Sequence, residues 1–327
     1  MSRTLAWVLG GGGLLGSHLL AAIAAEGPGI TRWNPGPSGI PWRDPVAALE
    51  ALSEQASRFA LEVLSGPGDW MVLWCAGSGV VGSRPEELEA ETSCLARLLA
   101  LLAEKLPDRT GKVLLASSAG GVYGGNREQP LSESSACRPV SDYGRNKLAQ
   151  EGLLLQWAQD MPRVSTLVAR ISNLYGPGQH LEKPQGLIAH ISRSILHHLP
   201  IHIYVPLDTQ RDYLYVEDCA RELLHGLQRL GSAPRENVVK IFHSGESTTI
   251  AGVIGAFARI AKGHPRIICS ASPVGVQQPL QLCFRSGVWP DLDRTRRTDL
   301  AVGIQRVHQH LLARFQEGRL PPVIPRA

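Results

Sequence analysis

Leu9-Gly10-Gly11-Gly12-Gly13-Leu14-Leu15-Gly16, near the start of a 327-residue chain, decides how the fold is read. It joins a short apolar run, Leu5–Leu9, to a Leu- and Ala-rich stretch, Leu14–Ala25, so a strand turns tightly into a helix. The segment carries G-x-x-G-x-x-G at Gly10, Gly13 and Gly16, and G-x-G-x-x-G at Gly11, Gly13 and Gly16. Glycines at such a junction let backbone approach a dinucleotide pyrophosphate, and the helix N-terminus offers that anion free N–H groups and a positive dipole end. The competing reading is a glycine turn with a purely structural role.

Outward from this point, strand and helix signals alternate, which predicts an α/β fold with a doubly wound parallel sheet. Ile30–Trp33 reads as a second strand. Asp44-Pro45 reads as a helix cap with proline at the first helical position, opening a helix to Leu64 that Gly66-Pro67-Gly68 stops. Trp70–Ala76 and Val113–Ser117 are continuous apolar runs, as expected of strands covered on both faces. Glu86–Leu106 and Asp142–Gln159 read as helices, and Ser165–Ile171 as a strand. Beyond residue 173 the pattern loosens: Ile201–Val205, Tyr213–Val216 and Val239–His243 read as short strands, Cys219–Leu230 as a helix and Ser270–Pro290 as loop. The expected organisation is a dinucleotide-binding unit over 1–172 plus roughly 207–232, and a smaller mixed lobe over 173–206 and 233–327.

Two further signals carry chemistry. Tyr143-Gly-Arg-Asn-Lys147 places Tyr and Lys at i, i+4 on a predicted helix, hence on one face. An ammonium beside a phenol favours the phenolate, so the tyrosine can exchange a proton with a substrate hydroxyl near neutral pH. Ser117-Ser118-Ala119-Gly120-Gly121-Val122-Tyr123-Gly124 ends a strand 25 residues before Tyr143, where parallel-sheet enzymes hold their chemistry. A serine there can hydrogen-bond the same substrate oxygen. The plainer readings are a small-residue turn, a half-buried aromatic and a solvated lysine.

Totals narrow the classes. Lys plus Arg exceed Asp plus Glu by 33 − 29 = 4, too weak a bias for nucleic acid but suited to an anionic small substrate. The six cysteines show no metal-ligand spacing and read as free thiols in a reducing compartment. His197, His198, His308 and His310 read as surface residues on helices. Neither a signal peptide nor an 18-residue apolar run is evident, so a cytoplasmic chain without membrane contact is expected.

Taken in order, Gly10–Gly16 with Ser17-His18-Leu19, Ser117-Ser118 with Val122-Tyr123-Gly124, Tyr143–Lys147, Arg170–Gln179 and Gln210–Asp218 resemble the extended short-chain dehydrogenase/reductases. Within them the chain is similar to the NAD-dependent epimerase/dehydratase family, typified by UDP-glucose 4-epimerase, over residues 1 to about 250. The resemblance implies a Rossmann-type fold with a C-terminal substrate lobe. Tyr143 would be the acid/base, Lys147 its electrostatic partner and a ribose contact, and Ser118 (or Ser117) the hydrogen-bonding hydroxyl. Cofactor contacts would fall at Gly10, Gly13, Leu14, Leu15, Gly16, Arg32, Ala76, Ser117, Tyr143 and Lys147. Asn173 and Arg211 would hold the substrate diphosphate, the alternative for Arg211 being an ion pair with Asp212 or Asp218.

Three departures matter. Ala119 stands where many relatives carry Ser or Thr. Gly120 and Gly121 stand where 4,6-dehydratases carry an acid pair, which argues against dehydration. No acidic residue ends the second strand at Arg32-Trp33-Asn34; Arg32 and Arg43 instead favour NADP slightly over NAD. Residues 34 to 69 are also too few for the usual helix–strand–helix. The leading expectation is a nucleotide-sugar 4-epimerase working through a transient keto sugar in polysaccharide biosynthesis. An NADPH-dependent nucleotide-sugar ketoreductase is the alternative, and an idle dinucleotide-binding sensor or scaffold is the reading from another class. The apolar excess of Glu86–Leu106 and Asp142–Gln159 predicts a symmetric homodimer. No metal is expected.

Overall fold

The computed structural model describes residues 4–322 apart from 28, 37–38, 67, 78, 81, 184, 232–234, 262–264, 271–277 and 295–296. Strands β1 (Thr4–Leu9), β2 (Ile30–Arg32), β3 (Trp70–Trp74), β4 (Gly111–Ser118), β5 (Val164–Ile171) and β9 (Asn237–Phe242) form one parallel sheet in the order β2-β1-β3-β4-β5-β9. The strand order reverses between β1 and β3, and ligands of open α/β sheets bind outside the carboxyl ends of strands at such a point. Among the described residues no strand pairs with the outer side of β2. A single helix, α2 (Pro45–Ser65), carries the chain from β2 to β3, as the short spacing predicts. Asp44 caps it, accepting from the N–H groups of Val46 and Ala47 at 3.1 Å.

Both faces of the sheet are covered, which explains the unbroken apolar strands. Trp7, Leu9, Val72, Trp74, Val113 and Leu115 face α2, α3 (Pro85–Lys105) and α5 (Asp142–Trp157). Their neighbours Ala6, Met71, Leu73 and Leu114 face the other way, onto α1 (Leu14–Ala25) and α7 (Val216–Arg229). The alternation is the period of two along a strand. At the sheet edge Trp7, Trp33 and Phe59 interlock, with ring centroids 5.0–5.4 Å apart.

The second lobe is built on β8 (Gln210–Tyr215), which pairs with β6 (Asn173–Tyr175), β10 (Ser247–Thr249) and β12 (Gln281–Leu282); β7 (Ile201–Ile203) pairs with β11 (Ile267–Cys269). Helices α6 (Leu187–Leu196), α8 (Ile250–Ile260) and α9 (Leu300–Gln316) enclose its core of Ile188, Ile191, Val253, Phe257, Ile304 and Val307. The composition-based boundary falls differently in two places. Residues 237–242, assigned above to the lobe, form the edge strand of the main sheet, where Phe242 joins the core and Thr166 Oγ1 donates to Asn237 Oδ1 at 2.9 Å. Residues 210–215 lie in the lobe's sheet, and only α7 after them returns to the main sheet. Buried Lys240 in β9 ties down the segment that follows β12, bonding Ser286, the Val288 carbonyl and Asp293 at 2.7–3.0 Å. Of the Ser270–Pro290 stretch, residues 271–277 lie outside the described set. Two histidines depart from the surface reading: the His308 ring approaches Ser192 Oγ at 2.9 Å, and the His197 ring meets Phe315 edge-on at 5.2 Å.

Candidate active site

The glycine loop sits at the switch point. A Cβ on Gly16 would lie 2.2 Å from the Gly10 carbonyl oxygen, so glycine there lets α1 start against the turn. The Gly13 N–H donates to the Gly10 carbonyl at 2.9 Å and closes that turn. Gly13 caps α1 without a side chain, and no acidic residue stands in the first turn. The N–H groups of Leu14, Leu15 and Gly16 therefore form an uncapped positive end. Ala76, just past β3, is buried beside Gly10.

Ser117 and Ser118 end β4 and point to opposite sides. Ser117 Oγ donates to Glu151 Oε1 at 2.5 Å, Arg170 Nη2 holds that carboxylate at 2.6 Å, and Arg170 Nη1 donates to the Tyr123 hydroxyl. Ser117 thus belongs to a buried ion-pair network. Ser118 caps the short helix α4 (Ala119–Tyr123), its Oγ accepting the Gly121 N–H at 3.1 Å. Helices α4 and α5 touch at glycines: a Cβ on Gly144 would lie 2.2 Å from the Gly121 carbonyl oxygen. A Cβ on Gly121 would lie 3.2 Å from Tyr143 Cε1 and 3.3 Å from Ser118 Oγ, so the phenol ring and the hydroxyl flank the same residue.

One turn after Tyr143, Lys147 Nζ lies 5.9 Å from the Tyr143 ring centroid. It is buried and ion-paired with Glu91 Oε1 of α3 at 2.8 Å, and it donates to Gln150 Oε1 at 3.1 Å. Burial alone would pull the Lys147 ammonium down, but the Glu91 carboxylate, with Tyr143 beside it, outweighs it and the net shift is upward. Burial pushes the nearby Cys75 thiol up to about 12, so it stays neutral. From the other lobe, His180 Nε2 reaches within 3.3 Å of the Gly12 carbonyl and Lys183 Nζ within 3.4 Å of the Gly77 carbonyl. His180 and Lys183 thus tie the lobe to the loops that follow β1 and β3.

Asn173 and Arg211 lie on the paired strands β6 and β8, Asn173 opposite Tyr213. Asn173 Nδ2 donates to the Asp212 carbonyl at 3.2 Å. Arg211 is 8% exposed and donates to the Gln210 carbonyl at 2.8 Å and to Gln278 Oε1 at 3.2 Å. Neither aspartate pairs with it. Asp212 accepts from Ser172, Ser244 and Gly245, and Asp218 from Arg221 and Thr298. Arg211 has no carboxylate partner among the described residues, and burial pulls its pKa down. Arg32, at the end of β2, and Arg43, just before α2, are exposed. Asn34 accepts the Gly36 N–H, Arg58 donates to the Pro35 carbonyl at 3.0 Å, and Glu62 receives the Trp33 indole N–H at 2.9 Å.

The sequence reading missed Glu91, Gln150, Glu151, His180 and Lys183. One signal was available: Tyr143, Lys147, Gln150 and Glu151 lie at i, i+4, i+7 and i+8, which puts polar groups on the inward face of α5, where a core helix carries aliphatics. Glu91 had no such mark.

The chain is 35% identical over 143 residues to dTDP-4-dehydro-6-deoxyglucose reductase of Escherichia coli, covering 44% of this chain and 43% of that protein. It is 26% identical over 282 residues to UDP-glucose 4-epimerase of Erwinia amylovora, covering 78% and 82%. Matches to the first curated relatives span less than half of those proteins' length. The UDP-glucose 4-epimerase of Thermus thermophilus, solved in complex with NAD, shares the fold with a TM-score of 0.73 at 22% identity, over 94% of this chain and 98% of that one. The NAD dependent epimerase/dehydratase family matches residues 6–241, a span that runs from the first strand of the main sheet into its last and takes in the glycine loop, Ser118, Tyr143 and Lys147. By that match, the chain belongs to the NAD-dependent epimerase/dehydratase family.

Proposed function

We propose that the chain is a nucleotide-sugar 4-epimerase that works with a bound nicotinamide dinucleotide. The observation that carries this reading is the convergence of Ser118 and Tyr143 on one glycine, with the Lys147 ammonium beside the tyrosine ring. The uncapped N-terminus of α1 and the close Gly10–Gly16 contact fit a pyrophosphate. When bound, the cofactor supplies a hydride acceptor and donor at the sugar carbon. Tyr143 takes the proton of the sugar hydroxyl, Ser118 donates a hydrogen bond to the same oxygen, and Lys147 stabilises the phenolate. Ser117 supports from behind, through Glu151. Asn173 and Arg211 hold the diphosphate, since Arg211 is a buried cation bonded to neutral oxygens. NAD is the cofactor to test first, because the Thermus thermophilus relative holds NAD. Exposed Arg32 would favour the 2′-phosphate of NADP, so both are compared. A symmetric homodimer through α3 and α5 accompanies this reading; the partly buried Leu153, Leu155 and Trp157 of α5 support it.

A reductase is the second reading, favoured by the 35% identity to dTDP-4-dehydro-6-deoxyglucose reductase. Incubation with UDP-, GDP- and dTDP-hexoses, followed by NMR of the sugar ring protons, separates the two. Inversion at C4 without net change in cofactor absorbance is expected. Net NADPH oxidation with a 4-keto sugar and no epimerisation would install the reductase instead.

A further inference from the structure

Glu91 is fixed from several sides. A Cβ on Gly77 would meet its Oε1 at 2.7 Å, and one on Gly79 would meet its Oε2 at 3.3 Å and Tyr143 Cδ2 at 3.6 Å. Its carboxylate therefore lies under the loop that follows β3, in the crevice that holds Tyr143. Glu91 Oε1 accepts from Lys147 at 2.8 Å and from Gln150 Nε2 at 3.1 Å, and the two charged side chains are 8% and 7% exposed. Gln150 closes a triangle, accepting from Lys147 and donating to Thr92 at 3.2 Å. Two of the three ammonium donors are thus held by acceptors among the described residues, which leaves the third for a ligand oxygen.

We propose that Glu91 is a positioning residue whose carboxylate keeps Lys147 an ammonium and fixes it beside Tyr143. The inference rests on the catalytic reading above. A lysine this deeply buried loses its proton readily unless an anion faces it. The groups that face it are Glu91 on α3, Cys75 at the end of β3, Tyr143 on its own helix and, around Glu91, Lys183 from the second lobe. Cys75 is a neutral thiol and Lys183 a second cation, so Glu91 supplies the standing negative charge. The active form needs the Lys147 charge, and turnover therefore falls as pH rises through the Lys147 pKa. Glu91 keeps that loss at high pH.

The test is an NMR titration of the full chain labelled with 13C at lysine Cε. Six lysines give six signals, and Lys147→Arg identifies one of them. In the unaltered protein the Lys147 midpoint is expected above the ordinary lysine value of about 10.4. A midpoint below that value overturns the proposal without any Glu91 variant. In Glu91→Gln the midpoint should fall by at least about one pH unit, with the alkaline limb of turnover following it, and Glu91→Asp should restore it. An unmoved midpoint in Glu91→Gln would reduce Glu91 to a packing contact. The titration needs no substrate, so failure to find a sugar-nucleotide reaction would count against the function and leave this result standing.

Discussion

Two buried cations, one in each lobe, are held in different ways. Lys147 sits 2.8 Å from a carboxylate, while Arg211 bonds a backbone carbonyl and the amide oxygen of Gln278. The first charge is neutralised within the fold, so it can act on its neighbour Tyr143 without demanding a ligand anion. The second is desolvated with no counter-charge among the described residues, a cost that a bound phosphate would offset. A buried ion pair marks a device that is set in advance; a buried cation on neutral acceptors marks a place for something charged to arrive.

The contrast can be broken by substitution. Tyr143→Phe should cut turnover by about 10²–10⁴-fold while the dissociation constant of NAD barely moves, since only the acidic hydroxyl is lost. A decrease below about tenfold would take the tyrosine out of proton transfer. Removing each cation should then affect stability unequally. Lys147→Met strands a buried carboxylate, for a loss of about 3 kcal/mol by denaturant unfolding, whereas Arg211→Met should stay within about 1 kcal/mol of the unaltered protein. Equal losses would erase the distinction. The serines sharpen it on a smaller scale. Ser118→Ala should lower kcat about tenfold with little change in stability, while Ser117→Ala should cost about 1 kcal/mol through the hydrogen bond lost to Glu151. The reverse pattern would exchange the roles of the two hydroxyls.

The main sheet was largely legible because its determinants are local. Gly10–Gly16, the Asp44-Pro45 cap and the apolar runs at 70–76 and 113–117 each dictate a turn, a helix start or a doubly covered strand from neighbours alone. The lobe was less so. Its strands, such as Ser247–Thr249 and Gln281–Leu282, are two or three residues long, too short for a period to show, and they are defined by partners far along the chain. The same holds within the site. Tyr143 and Lys147 share a helix and announce each other, but Glu91 lies 56 residues before Lys147 on a helix whose own pattern is unremarkable. Which of Ser117 and Ser118 faces the tyrosine depended on a partner, Glu151, that only the packing of α5 against β4 and β5 supplies.

The proposed function depends on Arg211 binding the substrate diphosphate, while Tyr143 and Lys147 serve the chemistry. Calorimetric titration of UDP, and separately of NAD, into the protein and its Arg211→Met variant tests this most directly. A charge-assisted hydrogen bond contributes about 1.5–3 kcal/mol, so UDP should bind about ten- to a hundredfold more weakly to the variant, with NAD binding and the melting temperature nearly unchanged. Equal weakening of both ligands together with a lowered melting temperature would make Arg211 a structural brace and contradict the account.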